Sequence, residues 1–211
     1  MIQIIYIVSL KFTQVGSENF EKIIIFIHGW KGNKDSFKSL SSIINIPKTK
    51  WYFPQAPYEM DISLNQFSWS FQNPDGSYEV EETVQKFNIF LKNEILSKID
   101  SKKVFFIGFS QGATICYELI LQMKYPWGGV FPVAGFKRDK NSFFTINENQ
   151  INTPVIIGHG IKDDVIPISS SEVIFKELKQ KNNNVFLEKF NGGHKISINY
   201  LKKIQEIIHK Y

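Results

Sequence analysis

The chain of 211 residues contains one cysteine, one arginine, three alanines and no apolar run long enough to cross a bilayer. Each scarcity closes off a class of function. Cys116 alone cannot build a disulfide framework or a cysteine-rich metal site. With Arg138 as the only arginine, almost all the positive charge is lysine. Bidentate reading of guanine or phosphate favours the guanidinium fork. The net charge of +5 and the pI near 9.1 therefore read as a lysine-rich compositional bias and not as a nucleic-acid footprint. The apolar opening segment, residues 1–10 (MIQIIYIVSL), has no basic stretch before it and no small-residue cleavage site after it. It is also shorter than the roughly 20 residues a spanning helix needs. It reads as a first strand. The expectation is a soluble protein of a reducing, cytoplasmic compartment, with no integral membrane segment and no nucleic-acid partner.

What remains is a globular composition: 43% hydrophobic, 15% aromatic and 21% charged. A chain of this length should bury roughly 70% of its unfolded surface around one core. No Gly/Ser/Pro-rich linker, repeat or low-complexity tract divides it, so residues 1–211 read as one domain. Nothing in the sequence sets the oligomeric state, and a homodimer stays open.

Strand-like and helix-like segments alternate. Lys22–His28 (KIIIFIH) is a continuous apolar run of the buried-strand type. Asp35 is placed to cap a helix carrying Phe37, Leu40, Ile43 and Ile44. KWYF at 50–53 is a further strand candidate, and Asn73-Pro74-Asp75-Gly76 is a turn signal. Val80, Val84, Phe87, Leu91 and Ile95 share helical spacing. KKVFFIGF at 102–109 reads as a strand, and 112–124 as a helix running towards Pro126. Strands at 129–134, 154–159 and 185–190 follow, with helices near 170–181 and 196–209. The alternation predicts an α/β fold with a mostly parallel sheet covered by helices on both faces. In such sheets, sites form beyond the carboxyl ends of the strands.

Those ends carry the reactive residues. Gly108-Phe109-Ser110-Gln111-Gly112 follows a strand and opens a helix, the context in which G-x-S-x-G is a nucleophile elbow. The alternative is a glycine-flanked turn whose serine merely caps the helix. A serine needs a base, and in this architecture the acid and then the histidine follow it in the chain. That order excludes His28 and leaves His159, His194 and His209. His209 sits near a helix C-terminus, where a surface role suits it. His194 follows Gly192-Gly193 on a loop between a strand and the last helix, so it is the expected base. The acid should lie between them. Asp163 and Asp164 are adjacent after a strand, and residue type does not choose between them; Glu148 is a poorer third. Oxyanion donors are expected from the backbone amides of Gln111 and Trp30, the latter in the loop His28-Gly29-Trp30-Lys31-Gly32. The Trp30 side chain would then form a wall of the substrate pocket, and His28 would hold the loop. A zinc role for His28, His159 and His194 has no supporting spacing. Cys116, on the helix after Ser110, reads as a small buried hydrophobe.

With these residues in hand, the chain resembles the α/β-hydrolase superfamily. Within it the resemblance is to the small carboxylesterase group that includes acyl-protein thioesterases and bacterial phospholipase/carboxylesterases. It runs from about residue 22 to the C-terminus. It rests on I-H-G-W at 27–30, F-P-Q-A-P at 53–57, G-F-S-Q-G-A at 108–113, H-G-I-K-D-D-V-I-P at 159–167 and G-G-H-K-I-S at 192–197. The group's H-G-x-x-D-x-V-x-P pattern puts its acid on Asp163. The resemblance also implies His194 as base and the Trp30 and Gln111 amides as oxyanion donors. A W-F or W-Y-D element often lines the acyl pocket in this group. Here the nearest match is Phe67-Ser68-Trp69-Ser70, which makes Trp69 a second pocket candidate. The short stretch between Gly112 and Asp163 leaves no room for a large lid.

The implied activity is hydrolysis of short to medium acyl esters or thioesters at an open site, by acyl transfer through Ser110 without metal or organic cofactor. The substrate partner is then a small or lipid-like acyl compound. Two rivals use the same fold: a non-catalytic partner-binding protein, and a small peptidase or amidase with the same three residues.

Overall fold

The computed structural model describes residues 8–138 and 145–210. Its strands are β1 (Phe12–Gly16), β2 (Lys22–Ile27), β3 (Thr49–Pro54), the hairpins β4 (Tyr58–Asp61)–β5 (Gln66–Ser68) and β6 (Phe71–Gln72)–β7 (Tyr78–Glu79), β8 (Val104–Phe109), β9 (Gly129–Val133), β10 (Val155–Gly160) and β11 (Val185–Phe190). The helices are α1 (Leu40–Ile43), α2 (Glu81–Phe90), α3 (Gln111–Glu118), α4 (Ile168–Lys179) and α5 (Ile198–Ile208). Among the described residues, seven strands form one sheet in the order β1-β3-β2-β8-β9-β10-β11. All neighbours are parallel except β1 and β3.

The side-chain alternation of a strand explains why β2 is apolar from Ile23 to Ile27. Ile23, Ile25 and Ile27 point to the face covered by α2, α3 and α4, where Phe87, Phe90, Ile115, Ile174 and Leu178 pack. Ile24 and Phe26 point to the other face, with Leu40 next to α5's Tyr200, Leu201, Ile204 and Ile208. Burying each such side chain is worth about 1.5–3 kcal/mol, so the two-sided strands anchor the fold. No helix among the described residues is long and apolar enough to cross a membrane.

Several expectations change. Of the apolar opening segment, residues 1–7 lie outside the described residues and 8–10 are not in a strand; the strand before β2 is Phe12–Gly16. The helix expected after Asp35 forms only over Leu40–Ile43. Its carboxylate accepts from Thr13 Oγ1 at 2.8 Å and Lys34 Nζ at 2.7 Å, so it caps no helix, and residues 35–40 turn with i→i+3 bonds. Helix α3 stops at Glu118, short of Lys124, and continues as a 3₁₀ turn, Ile120–Gln122. There the Trp127 indole N–H takes the Ile120 carbonyl at 3.0 Å. The Asn73–Gly76 turn closes the β6–β7 hairpin, with Gly76 at φ 84.

Strand order reverses between β2 and β8, because β3 lies on one side of this pair and β9 on the other. Loops leaving β2 and β8 therefore diverge and open a crevice at their carboxyl ends. The walls of that crevice are close. A Cβ at Gly112 would overlap the Ile27 carbonyl and lie 2.7 Å from the His28 carbonyl, so α3 reaches β2 only because this position is glycine. Gly112→Ala should accordingly lower stability by about 1–3 kcal/mol, read as a fall of several degrees in Tm. A Tm equal to that of the unsubstituted protein would show that this contact yields freely.

Candidate active site

Ser110 occupies the turn between β8 and α3 at φ 54, ψ −116. That conformation costs a non-glycine residue of order 1–3 kcal/mol and persists only where the surroundings impose it. Here they do. The Ser110 amide donates to the Val133 carbonyl at 2.8 Å, tying the turn to β9, while the Ser110 carbonyl takes the Ala113 amide at 3.0 Å. A Cβ at Gly108 would meet Cys116 Sγ at 2.7 Å, so the strand too approaches α3 without a side chain. Gln111 is the first helical residue, and its N–H has no acceptor within the helix. The Ser110 hydroxyl thus stands half-buried at the positive end of α3.

The loop after β2 lies against this turn: a Cβ at Gly29 would be 3.2 Å from Ser110 Cβ. His28 holds the loop from below. Its Nδ1 meets the Gly29 carbonyl at 2.7 Å, which can only accept, so Nδ1 carries the hydrogen. Nε2 is then free to accept the Ala56 amide at 3.1 Å. Burial drives the imidazole down to about 4, against a weaker opposing pull from the Gly29 carbonyl. Trp30 follows with an exposed ring, Lys31 Nζ lying 4.5 Å over it. The Trp30 amide has no acceptor among the described residues.

Asp163 and His194 meet directly. His194 Nδ1 lies 2.8 Å from Asp163 Oδ2. A carboxylate accepts, so Nδ1 carries the hydrogen and Nε2 keeps its lone pair. Asp163 Oδ1 accepts the amides of Val165 and Ile166, both at 2.9 Å. Burial raises the Asp163 carboxyl, but the Ile166 amide, His194 and the Val165 amide together outweigh it, and the net shift is downward. Asp164 is exposed, as are Glu148 and His209. Ser110 joins the pair through its neighbour: the Phe109 ring lies 4.9 Å from the His194 ring. No Ser110–His194 hydrogen bond forms among the described residues; such contacts often tighten only with substrate bound.

Trp69 is corrected. It has no exposed surface; it packs against His28 at 5.0 Å and Phe87 at 5.8 Å and donates its indole N–H to the His28 carbonyl at 2.9 Å. It is core, and it braces the β2 loop from inside. Residue patterns missed what holds it there. The buried Gln111 side chain accepts the Trp69 amide at 3.0 Å and donates to Ser68 Oγ at 2.9 Å and Ser70 Oγ at 3.0 Å. The hydroxyls flanking a tryptophan were the available signal. Patterns also missed a groove of about 490 Å³ beside the Asp163 turn, walled by Phe136, Ile166, Pro167 and Val173 with Lys137, Ser169 and Ser170.

The profile of the phospholipase/carboxylesterase family matches residues 10–211. Acyl-protein thioesterase 1 of Kluyveromyces lactis is 26% identical over 211 aligned residues, covering 90% of this chain and 92% of that protein. A probable carboxylesterase, SOBER1-like, of Arabidopsis thaliana is 24% identical, covering 86% of this chain and 76% of that protein. The crystal structure of the Bacillus cereus carboxylesterase superposes with a TM-score of 0.77 at 19% identity, covering 95% of this chain and 94% of that one, which shows the shared α/β-hydrolase fold.

The buried, neutral His28 gives the fold a defined acid response. Unfolded, this imidazole binds a proton near pH 6.5; folded, it stays neutral until about 4. Between those values the unfolded chain binds more protons, so stability falls as pH falls, by about 3 kcal/mol from this group. Urea unfolding at pH 7 and pH 4.5 should show a smaller acid loss in His28→Gln than in the unsubstituted protein. Equal losses would contradict the assignment.

Proposed function

This chain belongs to the phospholipase/carboxylesterase family, and from that premise we propose that it hydrolyses esters or thioesters of short to medium acyl chains by two-step acyl transfer through Ser110. The observation that carries the reading is the Asp163–His194 contact of 2.8 Å, which leaves His194 Nε2 as a free base at the strand ends where Ser110 is held in its strained turn. Ser110 Oγ attacks the carbonyl carbon while its proton passes to His194 Nε2. Asp163, ionised and facing Nδ1, stabilises the imidazolium that forms. The carbonyl oxygen takes up the electron pair and is met by the amides of Gln111 and Trp30. Loss of one such donor typically costs about 2.7–4 kcal/mol. Collapse expels the alcohol or thiol, protonated by His194, and leaves Ser110 acylated. Water, deprotonated by His194, then attacks the acyl carbon, and the second collapse releases the carboxylic acid and restores the serine proton.

The groove beside the Asp163 turn is the proposed seat of the acyl chain. Its apolar wall of Phe136, Ile166, Pro167 and Val173 can cover several methylenes, each worth about 0.8 kcal/mol when buried. Trp30, exposed on the loop after β2, is the proposed wall towards the leaving group. Relatives named both thioesterase and carboxylesterase support either leaving group.

Ser110→Ala should abolish p-nitrophenyl acetate and butyrate turnover, a loss of at least about 10⁴-fold in kcat. Retained turnover sinks the mechanism. Asp163→Asn should lose orders of magnitude in kcat while Asp164→Asn, at an exposed position, loses none; the reverse would move the acid. Val173→Trp fills the groove and should depress kcat/KM for butyrate against acetate by roughly tenfold. An unchanged ratio would put the acyl chain elsewhere.

A further inference from the structure

A second histidine touches the same carboxylate and takes no part in the proton transfers above. His159 closes β10, is fully buried, and has both ring nitrogens engaged. Its Nε2 lies 2.9 Å from the Ile166 carbonyl, which can only accept, so Nε2 carries the hydrogen. The same N–H faces Asp163 Oδ2 at 3.4 Å, a long second branch of one donor. In the neutral ring this leaves Nδ1 to accept from Ser171 Oγ, 2.6 Å away on α4. A directed chain of donors thus runs from Ser171 of α4 through His159 to the carboxylate.

The turn that carries Asp163 is tied at its start, where the Ile161 and Lys162 amides donate to the Phe190 and Gly192 carbonyls, both at 2.9 Å, and these bonds do not reach its carboxylate. It leaves the sheet at Gly160, exposes Ile161, Lys162, Asp164 and Val165 to solvent, and returns only at Pro167. Its own Val165 and Ile166 amides hold Oδ1, but they move with the turn. The groups outside the turn that meet the carboxylate are His194, which must itself be oriented, and His159, which belongs to the sheet. By gripping Ile166 at one end of the turn and Oδ2 in its middle, His159 sets where the carboxylate points.

We propose that His159 is a positioning residue, held by Ser171, that fixes the Asp163 carboxylate in the geometry that orients His194. The inference rests on Asp163 being the acid of the proposed mechanism. It distinguishes the two edges of the ring. Gln at 159 can keep a donor where Nε2 stood, whereas Asn keeps only the Ser171 edge.

The test is p-nitrophenyl butyrate kinetics on His159→Asn, His159→Gln, Asp163→Asn and the double variant His159→Asn/Asp163→Asn, each checked for cooperative thermal unfolding. His159→Asn should lose about tenfold or more in kcat at unchanged KM, and His159→Gln should stay within about threefold of the unsubstituted protein. In the Asp163→Asn background, adding His159→Asn should change the residual kcat by less than about twofold, because the residue acts through that carboxylate. Full kcat in His159→Asn beside a collapsed Asp163→Asn overturns the proposal and leaves the acid standing. So does a His159→Asn loss of equal size in both backgrounds. Full kcat in Asp163→Asn overturns the acid assignment and this proposal with it. Should His159→Asn lose its cooperative transition, Ser171→Ala decides: a severalfold fall in kcat at unchanged KM supports the proposal, and an unchanged kcat overturns it.

Discussion

At Gly112, α3 lies so near the end of β2 that no Cβ fits between its backbone and the Ile27 and His28 carbonyls. That approach requires β8 to turn into α3 within a residue, and Ser110 takes the positive φ the turn demands. The same approach brings the β2 loop against Ser110, a Cβ at Gly29 lying 3.2 Å from Ser110 Cβ, which puts the loop that carries the proposed Trp30 donor beside the first turn of α3. The loop is then braced from beneath by His28, tied to Gly29 and Ala56, and by Trp69, tied to the His28 carbonyl. Gln111 completes the brace from the helix, its side chain clamping residues 68–70 while its amide stays free. One steric condition between two backbones thus organises both the proposed nucleophile and its oxyanion donors.

The other half of the site is organised by charge. Asp163 is an acceptor with four places to fill, and four N–H groups face it: two amides of its own turn, His194 and, at longer range, His159. Burial alone would favour the neutral acid; the Ile166 amide, His194 and the Val165 amide reverse that and hold the carboxyl below its ordinary range. An ionised carboxylate fixes His194 with its hydrogen on Nδ1, and so leaves Nε2 as the nitrogen that the proposed mechanism uses. Among the described residues no such set of donors faces Asp164, one residue away and exposed to water.

That contrast marks how far the sequence could be read. The two-sided strands were legible because a strand buried on both faces is apolar along its buried length, as IIIFI at 23–27 and VFFIGF are. The elbow was legible because its glycines answer a local steric demand. What depends on contacts far apart in the chain was not. Asp35 reads as a helix cap, yet its carboxylate goes to Thr13, 22 residues away. β1, with only intermediate and exposed positions, carries no apolar periodicity to announce it. Trp69 reads as a pocket wall until Gln111, 42 residues later, is seen to pull its segment into the core. Between Asp163 and Asp164 residue type is silent, since the choice is one of turn geometry.

The positive charge of the chain is resolved by where its cations sit. The single arginine, Arg138, is turned inward, with Nη1 2.6 Å from Glu118 Oε2 and the guanidinium 5.5 Å over the Tyr78 ring. It belongs to the packing beside α3 and presents no fork to a polyanion. Several lysines pair with neighbouring carboxylates, as Lys86 with Glu82 at 2.6 Å and Lys189 with Glu172 at 2.5 Å. Exposed pairs of this kind contribute about 0–1 kcal/mol each and are screened by salt. Lys31, Lys162 and Lys195 adjoin the site residues in the chain, but the proposed chemistry depends on a buried carboxylate, an imidazole base and two backbone amides. In the proposed mechanism the charge that matters is the one that forms on the substrate oxygen, and its proposed partners are fixed backbone dipoles rather than cations.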